Sequence, residues 1–288
     1  RSRAGERSSV GGGSPVDGGM ADDPKNGTTK RTALVTGASM GLGKELAALF
    51  AADGHDVVLV ARSLPKLEEL AQHLEETHGV EAHVVASDLA QPSAPAKLLE
   101  DVGARGLAVD LLVNNAGYGS YGAFLDLDLG RELEMVDLNV RALLELTHRF
   151  AQPMRARGFG RILNIASTAA FQPGPFMATY YATKAFVLSF SEALAVELEG
   201  TGVTVTCHCP GATATAFAAT AGNDKSRLFQ RSGVADARSV AAHAYGAMMR
   251  GQVVSVHGAL NWLGTQGVRF APRSVIRSVA AGVNKVPS

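Results

Sequence analysis

The segment TALVTGASMGLGKELAALFAADG, residues 32–54, decides the fold. Thr32-Ala33-Leu34-Val35-Thr36 is an apolar run of strand length. From Lys44 onward apolar residues recur at helical spacing, and Gly54 closes that helix. Between the two lies Gly37-Ala38-Ser39-Met40-Gly41-Leu42-Gly43. A strand that passes through glycines into a helix points backbone N–H groups and the positive end of the helix dipole at one spot, where a pyrophosphate can sit. The glycine spacing differs from the common G-x-G-x-x-G fingerprint, and alone such a turn is equally a plain strand–helix connection. Its place after the first strand favours the dinucleotide.

Working outward, the alternation repeats. Strands are expected at 57–60, 82–86, 110–113, 160–166, 203–209 and 253–256. Helices are expected at 64–77, 93–104, 129–157 and 180–199. Continuous apolar strands separated by amphipathic helices describe a parallel sheet buried on both faces. The expected fold is therefore α/β, a Rossmann-type doubly wound, seven-stranded parallel sheet with helices on both faces and ligands at the carboxyl ends of the strands. Residues 31–258 read as one dinucleotide-binding domain without an internal linker. Residues 1–30, rich in Gly, Ser and charge, read as a disordered extension, an expression remnant or upstream translation ahead of Met20.

With 46% hydrophobic and 19% charged residues the chain is that of a soluble globular protein. Its 27 basic and 27 acidic residues balance, so no global field favours nucleic acid. No apolar stretch is long enough for a membrane span, and the first residues lack the apolar segment of a signal peptide. Cys207 and Cys209 flank His208 and face the same way on a strand, too close for a normal disulfide. Free buried thiols fit a cytoplasmic location.

In GRILNIASTAAFQPGPFMATYYATK, residues 160–184, Tyr180 and Lys184 stand four residues apart and share a helical face. A neighbouring ammonium favours the phenolate and lowers a tyrosine pKa, making the hydroxyl a proton donor and acceptor. After strand two the chain reads Ala61-Arg62-Ser63, with no acidic residue to bind a ribose 2′-hydroxyl. Arg62 suits a 2′-phosphate, which predicts NADP(H) over NAD(H). Asp88 is placed near the adenine, and residues 114–117, Asn-Asn-Ala-Gly, along the cofactor groove.

At this point the chain resembles the short-chain dehydrogenases/reductases of the single-domain branch. The matching pieces are TGASMGLG at 36–43, Asp88-Leu89, NNAG at 114–117, Asn139, Ser167, YYATK at 180–184, and Pro210-Gly211 with Thr213 or Thr215. The text around Ser167 and Tyr180 is most similar to the DltE-like and 17β-hydroxysteroid dehydrogenase/3-ketoacyl reductase branches. The resemblance implies a catalytic tetrad. In it Ser167 bonds the substrate carbonyl, Tyr180 protonates the developing alkoxide, Lys184 holds the nicotinamide ribose, and Asn139 anchors a water. It further implies cofactor contacts from Gly37, Ser39, Met40, Gly41, Leu42, Gly43, Arg62, Ser63, Asp88, Leu89, Asn115, Ala116, Gly117, Tyr180, Lys184, Pro210, Gly211, Thr213 and Thr215. The implied activity is interconversion of a carbonyl and an alcohol on a small-molecule substrate, in a homodimer or homotetramer. The competing class is a non-catalytic NADP-binding or sensor protein on the same fold.

Tyr181 also lies within helical reach of Lys184, but the spacing from Ser167 selects Tyr180. No histidine or cysteine pattern predicts a metal. His148 and His208 read as structural or surface groups. Substrate walls are expected from Tyr118, Tyr121, Phe124, Phe171, Phe176, Met177 and Phe217, which suits an apolar or aromatic substrate. Residues 212–233 read as a mobile lid. Residues 259–288 form a basic tail, in which Val275, Ile276, Val279 and Val283 make one helical stripe with Arg273, Arg277 and Lys285 outside it. That stripe is expected to pack on the domain or a neighbouring subunit, the alternative being contact with a membrane surface.

Overall fold

The computed structural model describes residues 30–215, 217, 221 and 234–285. Apart from Lys30, the extension expected at 1–30 lies outside them, as does most of the lid expected at 212–233.

Seven strands form one sheet: β1 (Thr32–Thr36), β2 (Asp56–Ala61), β3 (Ala82–Ala86), β4 (Leu111–Asn114), β5 (Gly160–Ile165), β6 (Val203–Cys209) and β7 (Val254–Val256). Their order is β3-β2-β1-β4-β5-β6-β7, and every pairing is parallel. Successive strand residues serve opposite faces. Ala33, Val35, Val57 and Leu59 join α1 (Gly41–Ala52) and α2 (Leu64–His78) in one core. Leu34, Val58, Val60 and Leu112 join α3 (Ala94–Ala104) and α5 (Leu143–Arg157) in the other. Burial on both faces is why these strands read as unbroken apolar runs.

The strand order reverses between β1 and β4, which opens the crevice where such sheets bind ligands. One hydroxyl spans this seam. Thr36 Oγ1 donates to Val113 O (3.0 Å) and accepts from the backbone N–H groups of Asn115 (2.9 Å) and Ala116 (3.0 Å). Beside it, Asn114 turns away from the crevice and donates to Thr147 Oγ1 and Asn164 Oδ1, both at 2.9 Å. Asn114 thus pins β4 to β5 and α5 and does not line the cofactor groove as expected.

The long helix expected at 129–157 is three segments: α4 (Leu129–Val136), a π-helical turn (Asp137–Ala142) and α5. Wider turns of this kind recur at functional sites, and this one carries Asn139. Between β6 and β7 lies α7 (Ala237–Met249), capped by Asp236, whose carboxylate accepts from Ser239 N at 3.0 Å. Its small residues Ala241 and Ala244, with Met248, pack into the α1 side core. This helix has a weak apolar stripe and no sequence signal singled it out.

Helix α6 is Ala178–Glu197, and beyond β7 come α8 (Ala259–Gly267) and α9 (Arg273–Asn284). The stripe expected on α9 is corrected: Ile276, Ala280 and Asn284 are its buried residues, whereas Val275 and Val279 are 51% and 60% exposed. Among the described residues no helix is long and apolar enough to cross a membrane.

Candidate active site

A cleft of about 430 Å³ runs along the carboxyl edge of the sheet. One end is backbone. Gly37 holds a φ of +67°, and a Cβ there would stand 2.8 Å from Asn115 Nδ2. Asn115 Nδ2 in turn donates to Thr36 O at 2.9 Å. A Cβ on Gly43 would lie 2.2 Å from Gly37 O, so this glycine lets α1 pack against its own turn. Gly43 does not line the cleft, whereas Gly37, Ser39, Met40, Gly41 and Leu42 do. Helix α1 starts without a side-chain cap and without an acidic residue in its first turn. Its first N–H groups therefore remain available to an anion.

Arg62 and Ser63, at the end of β2, stand at the margin of this end, with Asp88 and Leu89 after β3. Asp88 Oδ1 accepts from Ala90 N at 3.2 Å, which fixes its loop. Asn115, Ala116 and Gly117 line the floor, and Pro210, Gly211, Thr213 and Thr215 close the cleft from the β6 side. A glycine turn, an uncapped helix N-terminus and an exposed guanidinium fit a nicotinamide dinucleotide.

Ser167, Tyr180 and Lys184 come together in the middle. Ser167 sits just past β5, its hydroxyl accepting from Ala169 N at 3.1 Å, donating to Pro210 O at 3.5 Å, and standing beside the Tyr180 phenol. Lys184 is buried and donates from Nζ to Ile165 O at 2.8 Å. Burial lowers its pKa to about 8. Burial drives the Tyr180 pKa upward, opposed by the neighbouring Ser167 hydroxyl. The expected lowering of Tyr180 by Lys184 is therefore not what dominates: Nζ lies 5.8 Å from the centre of the Tyr180 ring and is committed to a carbonyl. Desolvation of the phenolate outweighs a charge held at that distance.

Asn139 is 1% exposed and stands behind the cleft rather than in its lining. Its Oδ1 accepts from Tyr118 N (3.1 Å), and its Nδ2 donates to Tyr118 O (2.9 Å) and Thr183 Oγ1 (3.1 Å). Both ends of the amide are engaged in holding the loop after Gly117 to the turn of α6 that carries Lys184. A Cβ on Gly117 would be 2.8 Å from Asn139 Oδ1 and 3.6 Å from Lys184 Nζ. Glycine is required there for the two to approach.

The profile of the short chain dehydrogenases matches residues 31–226. The chain belongs to the short-chain dehydrogenase family. It is 35% identical over 182 residues to a 7beta-hydroxysteroid dehydrogenase of Collinsella aerofaciens, an alignment covering 63% of this chain and 68% of that one. It is 36% identical over 182 residues to very-long-chain 3-oxoacyl-CoA reductase-A of Danio rerio, covering 62% of this chain and 56% of that one. Among solved structures it matches a short-chain dehydrogenase from Sphingobium yanoikuyae in complex with NADPH, with a TM-score of 0.75 and 34% identity over 86% of this chain and 96% of that one. The dehydrogenase is thus an NAD(P)-dependent oxidoreductase acting between carbonyl and alcohol.

The substrate end of this dehydrogenase differs from expectation. Tyr118, Met177 and Phe217 line the cleft, but Tyr121, Phe124, Phe171 and Phe176 do not. Tyr121 and Phe176 pack on each other at 6.3 Å, and Phe124 is 53% exposed. Lining residues that sequence reasoning missed include Leu138 and Val283, whereas Gln172 belongs to the 169–179 loop expected to supply a substrate wall. Only the first adjoins a recognised motif residue. Tyr181 also reaches the cleft, yet its hydroxyl donates to Asn284 Oδ1 at 3.2 Å, whereas the Tyr180 phenol stands beside Ser167. His208 is buried on β6 with Nδ1 3.2 Å from Ser255 Oγ, and His148 pairs with Gln152 on the surface. Among the described residues no cluster of three or more His, Cys, Asp or Glu could hold a metal.

Proposed function

We propose that this dehydrogenase interconverts a bulky, largely apolar ketone or aldehyde and its alcohol, with NADP(H) preferred over NAD(H) and Tyr180 as general acid and base. The observation that carries this is the convergence of Ser167, Tyr180 and Lys184 in one cleft whose far margin is Arg62.

The bound nicotinamide supplies or accepts the hydride. The protein's share is positioning and proton transfer. Ser167 and Tyr180 present two hydroxyls at one point, where a carbonyl oxygen gains charge in the transition state. Burial keeps the Tyr180 phenol protonated through neutral pH, the state that reduction needs. Lys184 holds the ribose side of the cleft, and Asn139 fixes both Gly117 and the Lys184 turn rather than touching reactants. Arg62 offers planar donors to a 2′-phosphate, and no carboxylate competes for it at the end of β2.

Support for a large apolar substrate comes from the Tyr180 and Phe217 rings, 5.2 Å apart, with Met177 beside them. The names of two relatives point the same way, one to a hydroxysteroid and one to a very-long-chain 3-oxoacyl compound. The family's oligomeric habit supports an assembly of two or four copies. The test is NADPH consumption across aryl, steroidal and long-chain ketones. Turnover that vanishes in Tyr180→Phe while NADPH affinity persists is expected. Tight NADPH binding with no carbonyl consumed would overturn the proposal.

A further inference from the structure

Helix α9 ends on Asn284, which is 1% exposed. A buried amide is costly unless both its ends are paired. Here they are. Asn284 Oδ1 accepts from Tyr181 OH at 3.2 Å, and Nδ2 donates to Pro175 O at 2.9 Å. The first partner sits on α6 beside Tyr180. The second belongs to the loop that leads into α6.

That loop is itself under constraint. Phe176 holds a φ of +67°, unusual for a bulky residue, and its carbonyl accepts from Gly122 N at 2.9 Å. Gly174 lies so close to the Tyr181 ring that a Cβ would come within 2.2 Å of it. Asn284 thus joins the C-terminal helix, the strained loop and the catalytic helix at one point. The preceding residue, Val283, lines the cleft on this side. The opposite end of the cleft belongs to Gly37 and Arg62.

We infer that α9 is the outer wall of the substrate site, with Val283 a specificity-determining residue and Asn284 a positioning residue that latches the wall to Tyr181 and Pro175. This rests on the oxidoreductase site proposed above. Helix ends fray unless something holds them, and the last turn of α9 has this latch. The size of the side chain at 283 then sets how bulky a carbonyl substituent fits. Released from Asn284, α9 leaves the substrate end open while the cofactor end keeps its shape.

The experiment has two arms. In the first, kcat/KM is measured with NADPH for aryl alkyl ketones of increasing alkyl length, in wild type, Val283→Ala and Val283→Phe. A methyl-scale change in an apolar pocket discriminates by about 10-fold or more, so Val283→Ala shifts preference to longer ketones and Val283→Phe to shorter ones. NADPH affinity stays constant. In the second arm, hydrogen exchange is followed over residues 273–284 and 178–184 in Asn284→Leu, Tyr181→Phe and the double variant. Each single variant speeds exchange in 273–284 and raises KM with kcat retained, and the double variant adds little to either. Identical ketone profiles in both Val283 variants, with wild type active, overturn the specificity role. Unchanged exchange in Asn284→Leu overturns the latch. If wild type reduces none of the ketones, the oxidoreductase proposal fails, and the exchange arm still decides the latch.

Discussion

The two ends of the cleft are built differently. The cofactor end is made of main chain: a glycine turn, an uncapped helix N-terminus and a loop tied down by one threonine hydroxyl. The substrate end is made of side chains from α6, two loops and the C-terminal helix. A backbone cradle tolerates almost no added atoms but asks little of side-chain identity outside its glycines. A side-chain wall can change its shape one residue at a time. One fold can therefore keep its hydride donor and vary its substrate.

The largest expected effect tests the point where the two ends meet. Tyr180→Phe removes the proposed proton donor and should lower kcat by about 10²–10⁴-fold with NADPH affinity unchanged. If Tyr181→Phe did this instead, the division of labour between the two tyrosines would be wrong. Next comes Arg62→Asp, which swaps a charge-assisted donor for a ribose acceptor. Hydrogen bonds to charged groups contribute about 1.5–3 kcal/mol, so the NADPH/NADH ratio of kcat/KM should fall by roughly 10-fold or more. An unchanged ratio would remove Arg62 from the cofactor end.

Gly43→Ala probes the cradle from behind, at a glycine that does not itself line the cleft. Its methyl group would meet Gly37 O at 2.2 Å. Overpacking of this kind costs about 1–3 kcal/mol, read as a lower urea midpoint together with weaker NADPH binding. Gly264→Ala, inside α8 where a Cβ would meet nothing within 4 Å, is the control expected to leave NADPH binding unchanged and, if anything, to raise the urea midpoint. The smallest effect lies away from both ends. Burial, then His243 and His257, lowers the His208 pKa to about 3. The unfolded chain binds the proton near its ordinary pKa, so stability falls as pH drops below 6.5. Between pH 6.5 and 5.5 this amounts to about 1 kcal/mol. The same pH series in His208→Asn should show a shallower loss, and an equal slope would assign the acid sensitivity elsewhere.

What could be read in advance follows the same division. Residues 36–43 form a local motif and β1, β2 and β4 are largely apolar runs, so the sheet and its glycine turn were legible. The Tyr180–Lys184 pair was legible as a spacing, but not its electrostatics, because burial depends on what packs around it. Asn139 was found by resemblance, yet its engagement with the Tyr118 backbone depends on a π-helical turn that no propensity marks. Val283 and Asn284 were missed as site residues because the latch joins positions 103 apart in the chain. The aromatic residues assigned to the walls were chosen by loop proximity alone. Tyr121 and Phe176 satisfy each other instead.

The all-parallel order has a consequence for how the protein comes into being. Each neighbouring pair of strands is separated by a whole crossover, and across the seam the Thr36 hydroxyl meets residues 79 and 80 positions away. Pairings so distant in sequence form slowly, because loop closure must precede the contacts that reward it. The floor of the cleft therefore cannot exist while the chain is half assembled. Recovery of NADPH binding during refolding should coincide with the final cooperative phase, which makes the cofactor a reporter of the finished sheet rather than a template for it.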